Sequence, residues 1–207
     1  MSASSCPGGP EVFRAGRVRR GRIPRLAIAA AIAIAACAWT SPASAQTATA
    51  PALKAAFLYN FAKFTEWPAD ALAPGDPLVL CVINDRDVSD MLVELTQGRA
   101  IDGHQLVVST IKPDSSTLAS CRLLFVSGLD ATRSSALIEL VSGKPVLTVS
   151  DLDRFAPLGG IVDFFVEKGT MRFSINLEAA QRNGIRLSSK LLSLARIVKD
   201  ERRAVHP

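Results

Sequence analysis

The sequence predicts an α/β fold, a single domain with a mixed, mainly parallel sheet that is flanked by helices and includes a late antiparallel hairpin. Two observations predict it. Short apolar runs at 78–83, 122–126 and 145–149 alternate with segments of helical length, which is typical of parallel strands joined by helices. Residues 160–176 instead form two apolar runs around a two-residue turn, which is the pattern of a hairpin.

The first 45 residues are predicted to be a signal peptide. Six arginines between positions 14 and 25 precede an apolar run at 26–38, and small residues at 43–45 fit a cleavage site. The apolar run is too short for a bilayer span, which needs about 20 residues. An alternative is lipoprotein processing, with Cys37 as the lipidated first residue. Either route predicts a periplasmic protein, and cleavage after residue 45 leaves no segment that inserts into the membrane.

The net charge of the chain resides in this segment. The chain holds 24 Lys and Arg against 19 Asp and Glu, and residues 1–45 contain six Arg and one Glu. Residues 46–207 therefore hold 18 basic and 18 acidic residues. A neutral mature chain lacks the basic surface of nucleic-acid-binding proteins, so we expect no nucleic-acid partner.

An aromatic helix is predicted to open the domain at 53–207, after a flexible leader at 46–52. We expect it to end at Trp67, because Pro68 disfavours helical backbone in the residue before it. Its apolar stripe contains Leu53, Phe57, Leu58, Phe61, Ala62 and Phe64. Such a stripe indicates either a core helix or a partner-binding helix, and the pattern leaves both open.

The first strand is predicted at 78–83, where a continuous apolar run indicates burial on both faces. Residues 84–87 then offer capping side chains for a helix over 88–96. An Asp-Gly turn at 102–103 leads into a second strand at 105–111.

The same order repeats in the next segment. A strand at 122–126 precedes a helix over 131–141, which Gly143 ends. A buried strand at 145–149 follows, and a short helical turn is expected to run to Phe155.

The late hairpin has a register that the sequence determines. A two-residue turn at 168–169 places six apolar residues on one face, since side chains alternate along a strand. The predicted pairs are Val166–Met171, Phe164–Phe173 and Val162–Ile175 on the apolar face, and Phe165–Arg172, Asp163–Ser174 and Glu167–Thr170 on the other.

The second face of the hairpin is a candidate partner-binding surface, with Phe165, Glu167 and Arg172 as its residues. An aromatic side chain beside an arginine is typical of interface anchors. The alternative is that a helix of the same domain covers this face.

Two helices are predicted to finish the domain. Asn176 caps the first, at 177–183, and Gly184 suits the left-handed position after its end. Ser188 caps the last helix. The buried stripe of that helix is expected to contain Leu191, Leu194, Ala195 and Val198.

The residue inventory predicts no catalytic residue, metal or cofactor. His104 and His206 are the only histidines, and Cys81 and Cys121 lack the spacing of a zinc site. Two acidic pairs, Asp85 with Asp87 and Asp151 with Asp153, follow strands. Paired acids in such loops can bind metal or transfer protons, but each pair also lies where a helix N-terminus needs capping, and we interpret them as helix caps. We therefore expect a protein that is not an enzyme.

Polar loops follow three of the predicted parallel strands. Because open α/β sheets bind ligands at the carboxyl ends of their strands, these loops are candidate ligand-binding segments. Their residues are Asn84, Asp85, Ser127, Gly128, Ser150 and Asp151. A small-ligand sensor or carrier is therefore one functional hypothesis.

Two cysteines remain after removal of the signal segment, Cys81 and Cys121. In an oxidising compartment such a pair indicates either one disulfide or two buried thiols.

Residues 54–68 (KAAFLYNFAKFTEWP) resemble the opening motif of the YfiR family of exported bacterial regulators. Later stretches also match its pattern. They are the Leu-Cys-Val run at Cys81, the run CRLLFV at 121–126, and the stretch from Gly159-Gly160 through 173–176 to 184–189. The resemblance covers residues 53–199.

The resemblance implies a non-catalytic periplasmic protein that binds and represses the periplasmic sensory region of a membrane-bound diguanylate cyclase. Such repression lowers cyclic di-GMP and biofilm formation. It also implies a homodimer and a disulfide between Cys81 and Cys121. No cysteine follows Cys121, so the second, C-terminal bridge of some family members is absent, which argues against redox control through it.

Overall fold

The computed structural model of the protein describes residues 50–113 and 116–201. The predicted signal peptide at 1–45, including Cys37, lies outside these residues.

The domain contains five helices and ten strands within the described residues, and the predicted α/β class is confirmed. The helices are α1 (Ala50–Lys63), α2 (Arg86–Thr96), α3 (Ala131–Val141), α4 (Leu177–Arg182) and α5 (Ser189–Leu192), with a 3₁₀ helix at Ser116–Ser120. The strands are β1 (Thr65–Glu66), β2 (Leu78–Ile83), β3 (Ala100–Ile101), β4 (His104–Thr110), β5 (Leu123–Val126), β6 (Leu147–Ser150), β7 (Val162–Glu167), β8 (Thr170–Asn176), β9 (Arg186–Leu187) and β10 (Arg196–Val198).

Eight strands form the main sheet, in the order β10-β8-β7-β6-β5-β2-β4-β3, and β1 pairs with β9 separately. Strands β4, β2, β5, β6 and β7 are mutually parallel, whereas β3 and β8 run antiparallel to β4 and β7. The predicted mixed, mainly parallel sheet is thus confirmed. No helix among the described residues has both the length and the apolar character needed to cross a bilayer.

Both faces of the sheet are covered, as the continuous apolar run of β2 predicted. Leu80 and Val82 point into a core shared with α1 and α2, whereas Cys81 and Ile83 point into a second core beneath α3. Side chains alternate along a strand, so a strand between two cores must be apolar at every position.

Helix α1 is a core helix, which decides between the two interpretations of the aromatic stripe. Ala55, Leu58, Phe61 and Ala62 are its buried residues. The Phe61 ring lies 5.0 Å from the ring of Phe173, between centroids, and packs against the hairpin.

The predicted bounds of this helix are wrong at both ends. It begins at Ala50, inside the predicted leader, with Pro51 in the first turn, where proline is tolerated. It ends at Lys63, four residues before Trp67, because β1 leaves the helix to pair with β9. This pairing with a distant strand ends the helix before Pro68 can.

The hairpin of β7 and β8 has the predicted register, pair for pair. Lys168 and Gly169 form its turn, with φ values of 51° and 74°. Positive φ at both central residues is the geometry whose twist matches that of the flanking strands.

The end of the chain differs from the prediction. The last helix, α5, stops at Leu192, and the residues expected to prolong it form β10 beside β8. Leu194, assigned to the buried stripe, is 71% exposed. The predicted helical turn to Phe155 is also wrong, since residues 153–159 form non-helical turns with Arg154 at a φ of 62°.

Candidate functional site

The three predicted ligand loops lie together at the carboxyl ends of β2, β5 and β6. Ser127 Oγ donates a 2.9 Å hydrogen bond to Asp151 Oδ2, which joins the β5 loop to the β6 loop. Gly128 faces Asn84, since a Cβ on Gly128 would lie 4.0 Å from the Asn84 Cβ. Ser150 Oγ donates to the Val126 carbonyl at 2.8 Å. The parallel topology therefore produces the juxtaposition that the sequence predicted.

A residue that sequence reasoning missed, Lys54 of α1, completes this loop cluster. Its Nζ lies 2.6 Å from Asp151 Oδ2 and 3.4 Å from Asp85 Oδ2. The signal was present in the sequence, because Lys54 precedes Leu58 by four residues and Phe61 by seven, on the buried face of the helix. A lysine on such a face requires an acidic partner.

The electrostatics of the cluster keep Lys54 charged. Burial lowers the pKa of the ammonium, but the hydrogen bond and charge of Asp151, together with Asp85, outweigh burial and raise the pKa above its ordinary value. The Lys54 side chain is only 17% exposed, so these charges are poorly screened. The ion pairs therefore tie α1 to the loops that follow β2 and β6.

The two acidic pairs differ in whether they cap a helix. Asp85 caps α2 as predicted, because its Oδ1 accepts a 3.0 Å hydrogen bond from the Val88 N–H. The capping prediction is wrong for Asp151 and Asp153, since the described residues directly after the pair form turns and not a helix. Ser150 Oγ instead accepts from the Leu152 N–H at 3.0 Å, and Asp151 is left to bind Lys54.

Cys81 and Cys121 form a disulfide, with their Cα atoms 5.8 Å apart. Both residues are buried in the core beneath α3, on the sheet face opposite α1. The bridge joins β2 to the segment that leads into the neighbouring strand β5. The disulfide implied by the family resemblance is thus present, and it lies away from the loop cluster.

The predicted partner-binding residues lie together on the outer half of the hairpin. Glu167 binds Arg172 at 3.1 Å and Arg196 of β10 at 2.6 Å, and the Arg196 guanidinium lies 4.2 Å from the centre of the Phe165 ring. We call these four residues the hairpin surface. Its inner neighbour Asp163 is only 3% exposed. The face is therefore covered at its base and open at its tip.

Arg196 could not be assigned to this surface from the sequence, because β10 was predicted as helix. Its parallel register against β8 places Arg196 opposite Ser174, on the same face as Arg172.

A groove of about 400 Å³ lies between the loop cluster and the hairpin. Its lining combines one end of the loop cluster with the core-facing side of the hairpin. It contains Lys54, Asp151, Asp153, Phe164, Phe165, Val166 and Met171. We call this cavity the β7 groove. Across the described ranges, no group of three or more His, Cys, Asp or Glu is arranged to hold a metal ion.

The fold is thus that of a disulfide-bonded α/β domain with charged clusters on its surface. The YfiR/HmsC-like family model matches residues 51–196, from the first turn of α1 to the start of β10, and the chain belongs to this family. The family consists of regulatory, non-catalytic proteins of the periplasm that act in diguanylate cyclase signalling.

Proposed function

We propose that the protein is a non-enzymatic periplasmic regulator that binds the periplasmic sensory region of a membrane-bound diguanylate cyclase and represses it. Repression lowers cyclic di-GMP and with it biofilm formation. Membership of the YfiR/HmsC-like family supports the regulatory role. The observation that carries the proposal of a protein partner is the hairpin surface of Phe165, Glu167, Arg172 and Arg196.

The hairpin surface is built for binding in two respects. Glu167 holds Arg172 and Arg196 at once, so these side chains lose little freedom when a partner covers them. Arg196 over the Phe165 ring also presents an aromatic and a guanidinium together, the residue types that dominate interface energetics. This surface requires no ligand to form.

The first test is direct binding. The affinity of the purified chain for the purified periplasmic segment of the cyclase is measured for wild type and for Arg172→Glu. We expect Arg172→Glu to weaken binding by about tenfold or more, because it reverses a charge and places two carboxylates side by side.

Arg133→Glu on α3 is the matched control. Arg133 is also exposed and forms a 3.6 Å ion pair with Asp130. Circular dichroism establishes that each variant is folded. An unchanged affinity in folded Arg172→Glu contradicts the assignment of this surface.

The homodimer is a separate proposal, and light scattering of the purified chain over a range of concentrations tests it. A monomer mass at every concentration contradicts it.

A small-ligand sensor or carrier is the second candidate function. It is favoured by the loop cluster of Lys54, Ser127 and Asp151, which lies at the carboxyl edge of the parallel sheet beside a groove of about 400 Å³. A thermal-shift screen against periplasmic metabolites separates the two functions. The regulator forms a stable complex without added ligand, whereas a ligand present at about 100 times its Kd stabilises a sensor by about 2.7 kcal/mol with or without a partner.

A further inference from the structure

The hairpin extends beyond the strand next to it. Strand β7 pairs with β8 along its whole length, but β6 pairs with β7 only at Val162 and Asp163. Residues 164–167 therefore have a paired edge towards β8 and, among the residues described, no strand on their other edge. This stretch is an open strand edge inside a sheet of eight strands.

The register shows which backbone groups the open edge presents. In a hairpin with a two-residue turn, the flanking residues exchange hydrogen bonds with each other, and bonded and non-bonded pairs then alternate. Glu167 and Phe165 thus bond to β8. The same alternation predicts a bond at Ile161, six residues before Glu167, and the Ile161 carbonyl accepts a 2.8 Å hydrogen bond from the Asn176 N–H. Val166 consequently directs its N–H and C=O groups towards the open edge, and Phe164 directs its C=O there. The parallel pairing of Ser150 with Asp163 places the Phe164 N–H against the Ser150 carbonyl, so that amide is already bonded.

The β7 groove lies along this same edge. It occupies the position beside β7 that β6 would fill if that strand continued past Ser150. Phe164, Val166 and Met171 form its apolar wall, and Val166 is 71% exposed. The wall therefore offers side-chain contacts beside the free backbone groups, which are the two requirements for strand addition.

The charged residues that line the groove are acidic on balance. Asp85 and Asp151 share the single ammonium of Lys54, and Asp153 adds a third carboxylate at the rim. Asp153 is exposed and forms no ion pair with any residue in the described ranges. Three carboxylates against one ammonium favour a cationic side chain in the occupant.

We propose that the open edge of β7 is the docking site for an extended segment of the partner protein. The segment adds as a strand beside residues 164–167, sets an apolar side chain against Phe164 and Met171, and places a lysine or arginine at Asp151 and Asp153. This inference rests on the proposed regulatory function and names the surface that serves it.

The test uses the full chain, the purified periplasmic segment of the cyclase, and two variants that act differently. Val166→Pro removes the outward N–H of Val166 without removing a bond to β8. Asp153→Lys reverses the charge at the rim and leaves the backbone unchanged. We expect each to weaken binding by about tenfold or more, with the effect of Asp153→Lys fading at high salt.

Asp70→Lys is the matched control. Asp70 is exposed and precedes β2, at the opposite end of the parallel strands from the groove. We expect its affinity to stay within about twofold of wild type. Hydrogen exchange supplies a readout independent of mutation, because strand addition slows the amide of Val166 in the complex.

The outcomes separate the two proposals. A wild-type chain that does not bind the segment overturns the regulatory function itself. Binding that persists in Asp153→Lys and in folded Val166→Pro, with no slowing of exchange at Val166 in the wild-type complex, overturns the docking site and leaves the function standing. If Val166→Pro does not fold, Asp153→Lys and the exchange measurement decide.

Discussion

Replacement of Lys54 by methionine removes the cation of the loop cluster and keeps an unbranched apolar side chain of similar length. The lost contacts are the 2.6 Å hydrogen bond to Asp151 and the 3.4 Å ion pair with Asp85. Both carboxylates are then left beside one another, each largely buried, without a counter-charge.

The loss of stability in Lys54→Met can be estimated from these contacts. A hydrogen bond to a charged group contributes about 1.5–3 kcal/mol, and breaking a fully buried pair costs about 3–5 kcal/mol. Asp151 is 25% exposed and keeps its bond from Ser127, and Asp85 keeps its bond from Val88. We therefore expect Lys54→Met to lower the free energy of unfolding by about 2 kcal/mol, near the lower range. For a chain of this size the midpoint falls by about 4–8 °C.

Urea and thermal unfolding measure the effect. Lys63→Met is the control, because Lys63 lies on the same helix but is exposed, so its loss changes stability by no more than about 0.5 kcal/mol. A double-mutant cycle with Asp151→Asn measures the coupling, for which we expect at least about 0.5 kcal/mol.

The pH dependence has a defined sign. Because Asp151 and Asp85 raise the pKa of Lys54 in the folded state, its stabilisation is complete below the ordinary lysine pKa of about 10.4 and is lost as pH rises through the folded value. The difference between wild type and Lys54→Met should therefore be constant from neutral pH to about pH 10 and shrink above it. A Lys54→Met chain as stable as Lys63→Met, with additive behaviour in the cycle, refutes this reasoning.

Three further predictions concern the cores. Replacing Cys81 and Cys121 together by alanine opens a 40-residue loop and should cost about 4 kcal/mol in urea unfolding of the oxidised protein, whereas a loss below about 1 kcal/mol contradicts this. Gly160→Ala should cost about 1–3 kcal/mol, because its Cβ would overlap the Phe155 ring, and a fully stable variant shows that the ring can move. Burial raises the pKa of Asp163, so folding favours the protonated form of this carboxyl group. The free energy of unfolding of wild type, relative to that of Asp163→Asn, should therefore fall as pH rises from about 4 through the raised pKa. Urea titrations between about pH 3.5 and 7 measure that slope, and a flat difference contradicts it.

Local sequence patterns were sufficient to predict much of the fold. The hairpin register followed from a two-residue turn and strict alternation, both of which are confined to residues 162–176. Helix α3 has the predicted bounds because Asp130 and Gly143 mark its ends within the sequence itself. The approach of the ligand loops followed from parallel topology, since the carboxyl ends of parallel strands share one edge.

Other predictions were wrong because a distant contact overrode a local sequence signal. Helix α1 ends early because Thr65 pairs with Leu187, and the apolar run after Leu192 leaves the helix because Ile197 pairs with Ile175. Short apolar segments fit either helix or strand, so the available neighbour decides between them.

The sequence by itself determined the α/β class, the order of the longer strands and helices up to α4, the two faces of the hairpin and the loops that meet at the sheet edge. Each of these depends on periodicity or on turn residues within a short segment. Only the tertiary structure decided that Lys54 joins Asp151, 97 residues away, that Arg196 completes the hairpin surface, and that β6 ends before β7 does. These features depend on which distant elements become neighbours, and they are the ones on which the proposed binding surfaces rest.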